Sequence, residues 1–189
     1  MILILCGMSC TGKTSAMQGL VEKYDYDPIV TYTTRPIREG EKEGVTYHYI
    51  DQQTFSTLLN SGFFIETTQY KVASSEIWYY GTSVASIREA KSNSVIILNP
   101  DGLIKILSII GKEKVCICYL TANEKTILGR SKARGDDKLE AYRRLEADKK
   151  DFRDVGDYAD IVIPTDNDTI DKIISDIDMY YHVYKAGKE

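Results

Sequence analysis

The amino-acid sequence predicts an α/β fold of three layers, in which helices cover both faces of a central parallel sheet. The first observation is a set of five short apolar runs along the chain, at residues 2–6, 29–32, 95–98, 115–120 and 161–163. Such nearly continuous apolar character is typical of strands that are covered on both faces, as in a parallel sheet. The second observation is that segments with helical spacing of apolar residues separate these runs.

Helices are expected over residues 15–24, 101–110, 123–133, 138–155 and 168–184, with Asn123 and Asp168 as N-caps of two of them. Residues 33–91 break this alternation, because they are polar, aromatic and rich in short strand-like runs. Strands are expected there at 47–50 and 63–66, and a short helix at 51–60. A stretch of this length indicates an inserted subdomain rather than one loop. Insertions at the carboxyl ends of parallel strands lie where ligands bind.

Length and composition restrict the class of protein. The chain has 189 residues and a net charge of −4, which suits one domain and argues against nucleic-acid binding by bulk charge. No apolar run is long enough to span a membrane, so we expect a cytoplasmic protein without a membrane partner. The four cysteines and two histidines show no metal-binding spacing, and reduced thiols are the simplest account. The protein is expected to be a monomer or a homodimer.

The strongest motif lies between the first strand and the first helix. Residues 7–14 read G-M-S-C-T-G-K-T, which matches the phosphate-binding loop, or P-loop. Its backbone N–H groups and the helix N-terminus favour phosphate oxygens. Lys13 would reach the β- and γ-phosphates, and the Thr14 hydroxyl would help to hold Mg²⁺. The predicted ATP-binding residues of the loop are Gly7, Ser9, Cys10, Thr11, Gly12, Lys13, Thr14 and Ser15.

A second motif opens the insert. Residues 31–41 read T-Y-T-T-R-P-I-R-E-G-E, and residues 44–49 read G-V-T-Y-H-Y. Joined to the P-loop, this segment resembles the guanylate kinase family. The resemblance extends over nearly the whole chain, through F-I-E at 64–66, Y-G-T at 80–82, R-S-K-A-R-G at 130–135 and R-R-L at 143–145. It implies a P-loop NTPase fold and one guanylate-kinase-like domain over 1–189. The core would be 1–32 and 92–189, the NMP-binding insert 33–91, and the helical lid about 130–144.

The resemblance implies transfer of the ATP γ-phosphoryl group to GMP or dGMP, which gives ADP and (d)GDP and needs Mg²⁺. Arg35 and Arg38 are three residues apart beside a proline, a spacing that suits a clamp on a phosphate monoester. A single carboxylate can accept both N1–H and N2–H₂ of guanine, and the resemblance gives this role to Glu66. By the same resemblance the GMP-binding set is Thr31, Arg35, Arg38, Tyr47, Glu66, Tyr80, Thr82 and Asp101.

Arginines of the predicted lid supply the remaining positive charge. Arg130 and Arg134 are four apart on a predicted helix and therefore share a face, and Arg144 follows on the next helix. A transferring phosphoryl group spreads negative charge over three oxygens, which several cations stabilise. By resemblance these arginines close over ATP, with Arg130 and Arg134 binding it. The expected catalytic residues are Lys13, Arg38, Arg130 and Arg144.

Two features keep alternatives open. Asn99 stands where the family commonly has a carboxylate associated with hydrated Mg²⁺, and residues 164–167 read P-T-D-N where the family commonly has an Asn near the donor adenine. The alternatives are a nucleoside monophosphate kinase with a different base preference and a non-catalytic guanylate-kinase-like module that binds proteins. Such modules usually lose the P-loop lysine or the acceptor arginines. Lys13, Arg35 and Arg38 are present, which favours the enzyme.

Overall fold

The structure is a computed structural model that describes residues 1–72 and 75–188. Two sheets are flanked by helices. In chain order the elements are β1 (Ile2–Cys6), α1 (Lys13–Tyr24), β2 (Asp27–Pro28), β3 (Tyr32–Thr33), β4 (His48–Tyr49), α2 (Gln52–Asn60), β5 (Phe64–Lys71), β6 (Ile77–Ser83), α3 (Val84–Arg88), β7 (Ser94–Ile97), α4 (Pro100–Ile110), β8 (Val115–Thr121), α5 (Glu124–Ala133), α6 (Lys138–Asp151), α7 (Val155–Tyr158), β9 (Ile161–Pro164) and α8 (Ile170–Ala186).

The central sheet has five strands, all parallel, in the order β2-β7-β1-β8-β9. Side chains of β1 alternate between two cores because successive residues of a strand point to opposite faces. Leu3 and Leu5 pack with α1 and α8 on one face, whereas Ile2 and Ile4 pack with α4 on the other. The predicted three-layer α/β fold is confirmed.

The predicted strand at 29–32 is wrong as a single element. Asp27–Pro28 pairs with β7 in the central sheet, and Tyr32–Thr33 pairs with β6 in the second sheet. Ile29 extends the first ladder by one bond, since its N–H donates to the carbonyl of Val95 at 2.8 Å. The residues between the two strands carry the chain from one sheet to the other. A continuous run of β-branched and aromatic residues cannot reveal that crossing.

Some helix and strand ends also differ from the expectations. The expected strand 47–50 is reduced to His48–Tyr49, and the expected helix 138–155 is divided into α6 and α7. Asn123 is the N-cap of α5, as predicted, because its side chain accepts a hydrogen bond from Thr126 N. Asp168 is not the N-cap of α8; the Thr169 side chain caps it through Lys172 N.

The insert forms a mixed sheet of its own, in the order β4-β3-β6-β5. Strands β3 and β4 are parallel, and the pairs β3–β6 and β5–β6 are antiparallel. Phe55 of α2 is buried and stacks on Phe64 of β5 with the ring centroids 4.6 Å apart, which attaches the helix to the sheet. Among the helices of residues 1–72 and 75–188, none has the length and apolar composition needed to cross a membrane.

Candidate active site

The loop between β1 and α1 has a backbone geometry that requires glycine at two positions. Gly12 has a φ of 95°, in the left-handed region that glycine adopts without strain. A Cβ on Gly7 would lie 2.5 Å from the Leu120 carbonyl oxygen, so the loop packs directly against β8. Thr11 is fully buried and its hydroxyl donates to Met8 O at 2.9 Å. Helix α1 then begins at Lys13, which brings its positive N-terminal end to the loop.

The Lys13 ammonium lies within this loop. Its Nζ donates to the carbonyl oxygens of Gly7 and Met8, both at 2.7 Å. Burial lowers the pKa of Lys13 to about 8, although the charge of Asp148 partly opposes this effect. A desolvated ammonium held by neutral carbonyls would gain much from a phosphate anion.

Asp148 of α6 is a residue that the sequence reasoning missed. Its Oδ2 accepts a hydrogen bond from the P-loop Ser9 N–H at 2.6 Å, and the residue is only 6% exposed. It follows Arg144 by four positions, so both residues lie on one face of the helix. That spacing within a predicted helix is the sequence signal that would have indicated it.

A cleft between the P-loop and the insert contains several of the predicted acceptor residues. Its lining comes from the loop, from strands of both sheets and from α6. Of the predicted residues, it brings together Gly7, Ser9, Lys13, Thr31, Tyr47, Glu66, Tyr80 and Arg144; Thr68, Tyr70, Asn99, Asp148 and Phe152 also line it. The Tyr47 and Tyr80 rings meet edge to face with centroids 5.9 Å apart. Burial raises the pKa of Tyr47 to about 12, so its hydroxyl stays a proton donor.

Glu66 has an unpaired oxygen on the insert side of the cleft. Its Oε1 accepts a hydrogen bond from the Thr82 hydroxyl at 2.5 Å, whereas its buried Oε2 has no hydrogen-bond partner among the described residues. Burial raises the pKa of Glu66, and the Thr82 hydrogen bond opposes that shift. Thr82 is fully buried and orients Glu66 from behind. An unpaired buried acceptor is costly and calls for a ligand that donates.

Asn99 and Asp101 differ in their surroundings. The Asn99 amide is already engaged, because its Oδ1 caps α4 through Gly102 N at 2.7 Å and its Nδ2 donates to Thr68 at 2.8 Å. Asp101 is exposed in the first turn of α4 and does not line the cleft beside Glu66. The pairing of Asp101 with Glu66 at the guanine edge, which the resemblance implied, is therefore not seen in this arrangement.

Arg35 is held by the insert rather than left open for a ligand. The residue is 4% exposed, and its guanidinium donates to Glu41 Oε1 at 2.8 Å and to Pro36 O at 3.0 Å. Burial acts to lower the pKa of Arg35, but the hydrogen bond to Glu41 raises it above its ordinary value. The guanidinium also lies over the Tyr47 ring, 5.4 Å from its centroid. This network fixes the arginine beside the two cleft tyrosines.

Arg38, Arg134 and Arg144 line a second cavity, next to the P-loop residues Ser9 and Cys10. Burial and the charges of the neighbouring arginines lower the pKa of Arg38. None of the ion pairs among residues 1–72 and 75–188 uses the Arg38 or Arg144 guanidinium, whereas Arg134 pairs with Asp136. Asp136, Asp137 and Glu140 line the same cavity, so the arginines available to an anion there are Arg38 and Arg144.

Arg130 and Arg134 do not act as one face. Arg134 lies just beyond the end of α5, as its C-cap, and turns to Asp136. Arg130 instead donates to Cys10 O at 3.1 Å and to Thr165 Oγ1 at 3.0 Å, which ties the P-loop to the end of β9. Together with Thr11, Gly12 and Ser15 it lines a third cavity. The two side chains diverge because they bind different partners, Arg130 at Cys10 and Thr165 and Arg134 at Asp136.

The Thr14 hydroxyl and the Asp148 carboxylate are oxygen groups near the loop, the type of ligand that Mg²⁺ has in kinases. Thr14 is exposed in the first turn of α1, and the Asp148 carboxylate contacts the loop at Ser9. Within the described residues, no group of three or more His, Cys, Asp or Glu side chains forms a cage for a metal ion. Mg²⁺ prefers oxygen ligands, and in kinases it is held by substrate phosphates and waters with few protein ligands. The donor set therefore fits this cation.

A phosphate-binding loop facing an inserted sheet across a cleft, with arginines from a flanking helix, characterises the P-loop nucleotide kinases. The family model described as guanylate kinase matches residues 1–183. The chain is 34% identical to a guanylate kinase of Sulfurimonas denitrificans, over 88% of this chain and 80% of that protein. It is 29% identical to one of Chromohalobacter salexigens, over 98% and 84%.

The fold agrees with this. A crystal structure of guanylate kinase from Anaplasma phagocytophilum superposes with a TM-score of 0.64 at 22% identity, covering 96% of this chain and 84% of that one. The chain belongs to the guanylate kinase family, as its motifs predicted.

Proposed function

We propose that the protein transfers the γ-phosphoryl group of ATP to GMP or dGMP, giving ADP and (d)GDP. The observation that carries the choice of acceptor is the buried Oε2 atom of Glu66, in the same cleft as Lys13, for which residues 1–72 and 75–188 supply no hydrogen-bond partner. Guanine offers N1–H and N2–H₂ side by side, and adenine has no such pair of donors. A buried carboxylate whose acceptor has no partner in the described part of the protein favours guanine over adenine, because a substrate without these N–H donors would leave that acceptor unpaired.

The acceptor phosphate would lie between the insert and the P-loop. Tyr47 and Tyr80 line the cleft there, and Arg35 is fixed against Tyr47 by Glu41. We assign two roles to Arg35: it positions these tyrosines, and its positive charge attracts the acceptor phosphate. Arg38 lines the adjoining cavity with Arg144, and we assign these two to the transferring phosphoryl group. Thr31 lines the cleft and Thr82 orients Glu66.

The donor phosphates would occupy the P-loop. There Lys13 would exchange its bonds to two carbonyl oxygens for bonds to phosphate, which favours its charged form. When bound, Mg²⁺ would neutralise phosphate charge next to Thr14. We assign Arg130 to holding the loop in shape, in view of its bonds to Cys10 and Thr165. Residues 134–137, between α5 and α6, would form the tip of the lid.

The proposal is tested by measuring ADP release with ATP, Mg²⁺ and each of GMP, dGMP, AMP, CMP and UMP in turn. We expect kcat/KM for GMP or dGMP to exceed that for AMP by about 10⁴-fold, as expected for a site built to hydrogen-bond its substrate. Equal rates with AMP and GMP would refute the guanine assignment and leave a kinase of altered base preference. No turnover with any acceptor would indicate a binding module instead.

We also propose that the protein acts in the cytoplasm, as a monomer or a homodimer. The four cysteines are free, in keeping with a reducing compartment. Light scattering of the purified protein would measure the mass in solution and decide between the two assemblies.

A further inference from the structure

A carboxylate accepts a hydrogen bond from a backbone N–H group of the P-loop. The Asp148 Oδ2 atom lies 2.6 Å from the Ser9 nitrogen, and Ser9 belongs to the loop whose N–H groups cradle phosphates. Asp148 also lines the cleft beside Lys13 and Arg144. The free protein thus already holds one anion in its anion-binding loop.

The helix that carries this carboxylate is fixed in place, because residues on both sides of Asp148 are buried. Leu145, one turn earlier, packs against Ala122 and Ile127 of the core. Phe152, one turn later, is 7% exposed and its ring stacks on Tyr119 with the two planes 7° apart. The Asp148 carboxylate therefore stays beside the loop, in the lining of the cleft that a triphosphate would enter, whichever rotamer it adopts.

The consequence depends on whether the triphosphate carries a divalent cation. A metal-free triphosphate brings its full negative charge close to a buried carboxylate, where little water screens the repulsion. A bound divalent cation removes part of that charge, and carboxylate oxygen is a ligand type that Mg²⁺ accepts directly or through water. The same carboxylate therefore opposes one form of the nucleotide and tolerates or attracts the other.

We infer that Asp148 is a specificity-determining residue that makes the phosphate loop select Mg²⁺-complexed ATP over metal-free ATP. The inference rests on the proposed function, because it presumes that the loop binds ATP. It gives α6 a part in recognising the donor beyond carrying Arg144. Its effect is a difference between two binding affinities, which can be measured without turnover.

The test is isothermal titration of ATP into the protein without GMP, once with excess Mg²⁺ and once with EDTA. The quantity is the ratio of Kd for metal-free ATP to Kd for Mg²⁺–ATP, compared between the wild type and Asp148→Asn. The asparagine keeps an acceptor for Ser9 N–H and nearly the same shape, so it removes little besides the charge. We expect the ratio to fall by about tenfold, mainly because metal-free ATP binds more tightly.

Asp151→Asn is the matched control. Asp151 lies on the same helix and carries the same charge, but it is exposed and lies outside the cleft lining. We expect its ratio to remain within threefold of the wild type. A ratio in Asp148→Asn that falls by less than threefold would overturn the inference, and so would an equal fall in both variants.

Two further measurements keep the outcome clear. Thermal unfolding without nucleotide shows whether each variant folds, and Asp148→Ala replaces Asp148→Asn if the asparagine variant does not. A merely structural role for Asp148 would weaken both forms of ATP together, leave the ratio unchanged and refute the inference. If the wild type binds neither form of ATP, the proposed function fails at that point, before the variants are compared.

Discussion

Replacing Glu66 by glutamine is the most informative single change in the cleft. Glutamine has nearly the same size and can still accept from the Thr82 hydroxyl, as Glu66 Oε1 does at 2.5 Å. The other terminal atom becomes an NH₂ group, at the position where Oε2 has no hydrogen-bond partner among the described residues. Under the proposed function, the substitution therefore replaces the acceptor for guanine with a donor that repels the guanine N–H groups.

The expected loss of activity with GMP follows from the one hydrogen bond to a charged group that the substitution removes. A hydrogen bond to a charged group contributes about 1.5–3 kcal/mol, and about 1.4 kcal/mol corresponds to a factor of ten. Loss of one charged hydrogen bond to guanine thus predicts a fall in kcat/KM for GMP of roughly 10–100-fold. Activity with AMP should change much less, since adenine has no paired donors to lose. The preference for GMP over AMP should narrow for that reason.

The pH dependence gives an independent check of the same group. Burial raises the pKa of Glu66 above its ordinary value of 4.5, so the carboxylate gains a proton at a higher pH than a free one. GMP needs the ionised form, so kcat/KM for GMP should fall as the pH decreases through that raised pKa. The ratio of wild type to Glu66→Gln cancels the ionisation of GMP itself. This ratio should approach one on the acid side.

The assay is ADP release with GMP and AMP over a range of pH, with Glu76→Gln as the control. Glu76 is an exposed glutamate of the insert, and its substitution should leave both activities within about twofold, as is usual for surface positions. If Glu66→Gln retained the wild-type kcat/KM for GMP, the reading of guanine by this carboxylate would be wrong, although the kinase fold would stand.

The remaining predictions concern the phosphate-binding side. Lys13→Ala should lower kcat by roughly 10²–10³-fold while the protein stays folded, because it removes a charge at the transferring group; near-normal turnover by a folded variant would contradict this. The affinity for ATP should fall as the pH rises above about 8, which is the pKa of Lys13, because phosphate binds the protonated lysine. Titration of Mg²⁺–ATP into the wild type at several pH values measures this affinity. Lys13→Ala is the control, because its affinity should not depend on pH in this range. Arg38→Ala should impair both KM for GMP and kcat but leave the melting temperature nearly unchanged, because no ion pair of its side chain is lost among the described residues; unchanged kinetics would place Arg38 outside the site.

The layered core was predictable because burial on both faces leaves a simple mark in sequence. Strands β1 and β8 are continuous apolar runs, and each lies inside the parallel sheet. The run at 29–32 misled for the same reason, since a chain that passes from one sheet to another stays apolar throughout. Apolar character reports burial, but it does not report which partner a strand pairs with.

The arrangement of charges in the site was less predictable. The ion pair between Arg35 and Glu41 joins residues of one loop, yet nothing in the motif indicates that this ion pair engages the Arg35 guanidinium. The bond from Arg130 to Thr165 links positions 35 apart, and the bond from Ser9 to Asp148 links positions 139 apart. Pairings at that distance depend on the assembled sheet order. Sequence motifs identified which residues carry charge, whereas the fold decides which of those charges remain open to a ligand.

Three of the charged groups that the site leaves open to a ligand have one property in common. Burial raises the pKa of Glu66 and lowers that of Lys13, and burial with neighbouring arginines lowers that of Arg38. In each case the environment of the free protein disfavours the charged form. Guanine donors would favour the ionised Glu66, and phosphate oxygens would favour protonated Lys13 and Arg38. Each buried charge is unfavourable until a ligand with the complementary charge or hydrogen-bonding pattern binds to it. The free energy that such a ligand recovers is not available to other ligands, and this difference is the source of the selectivity.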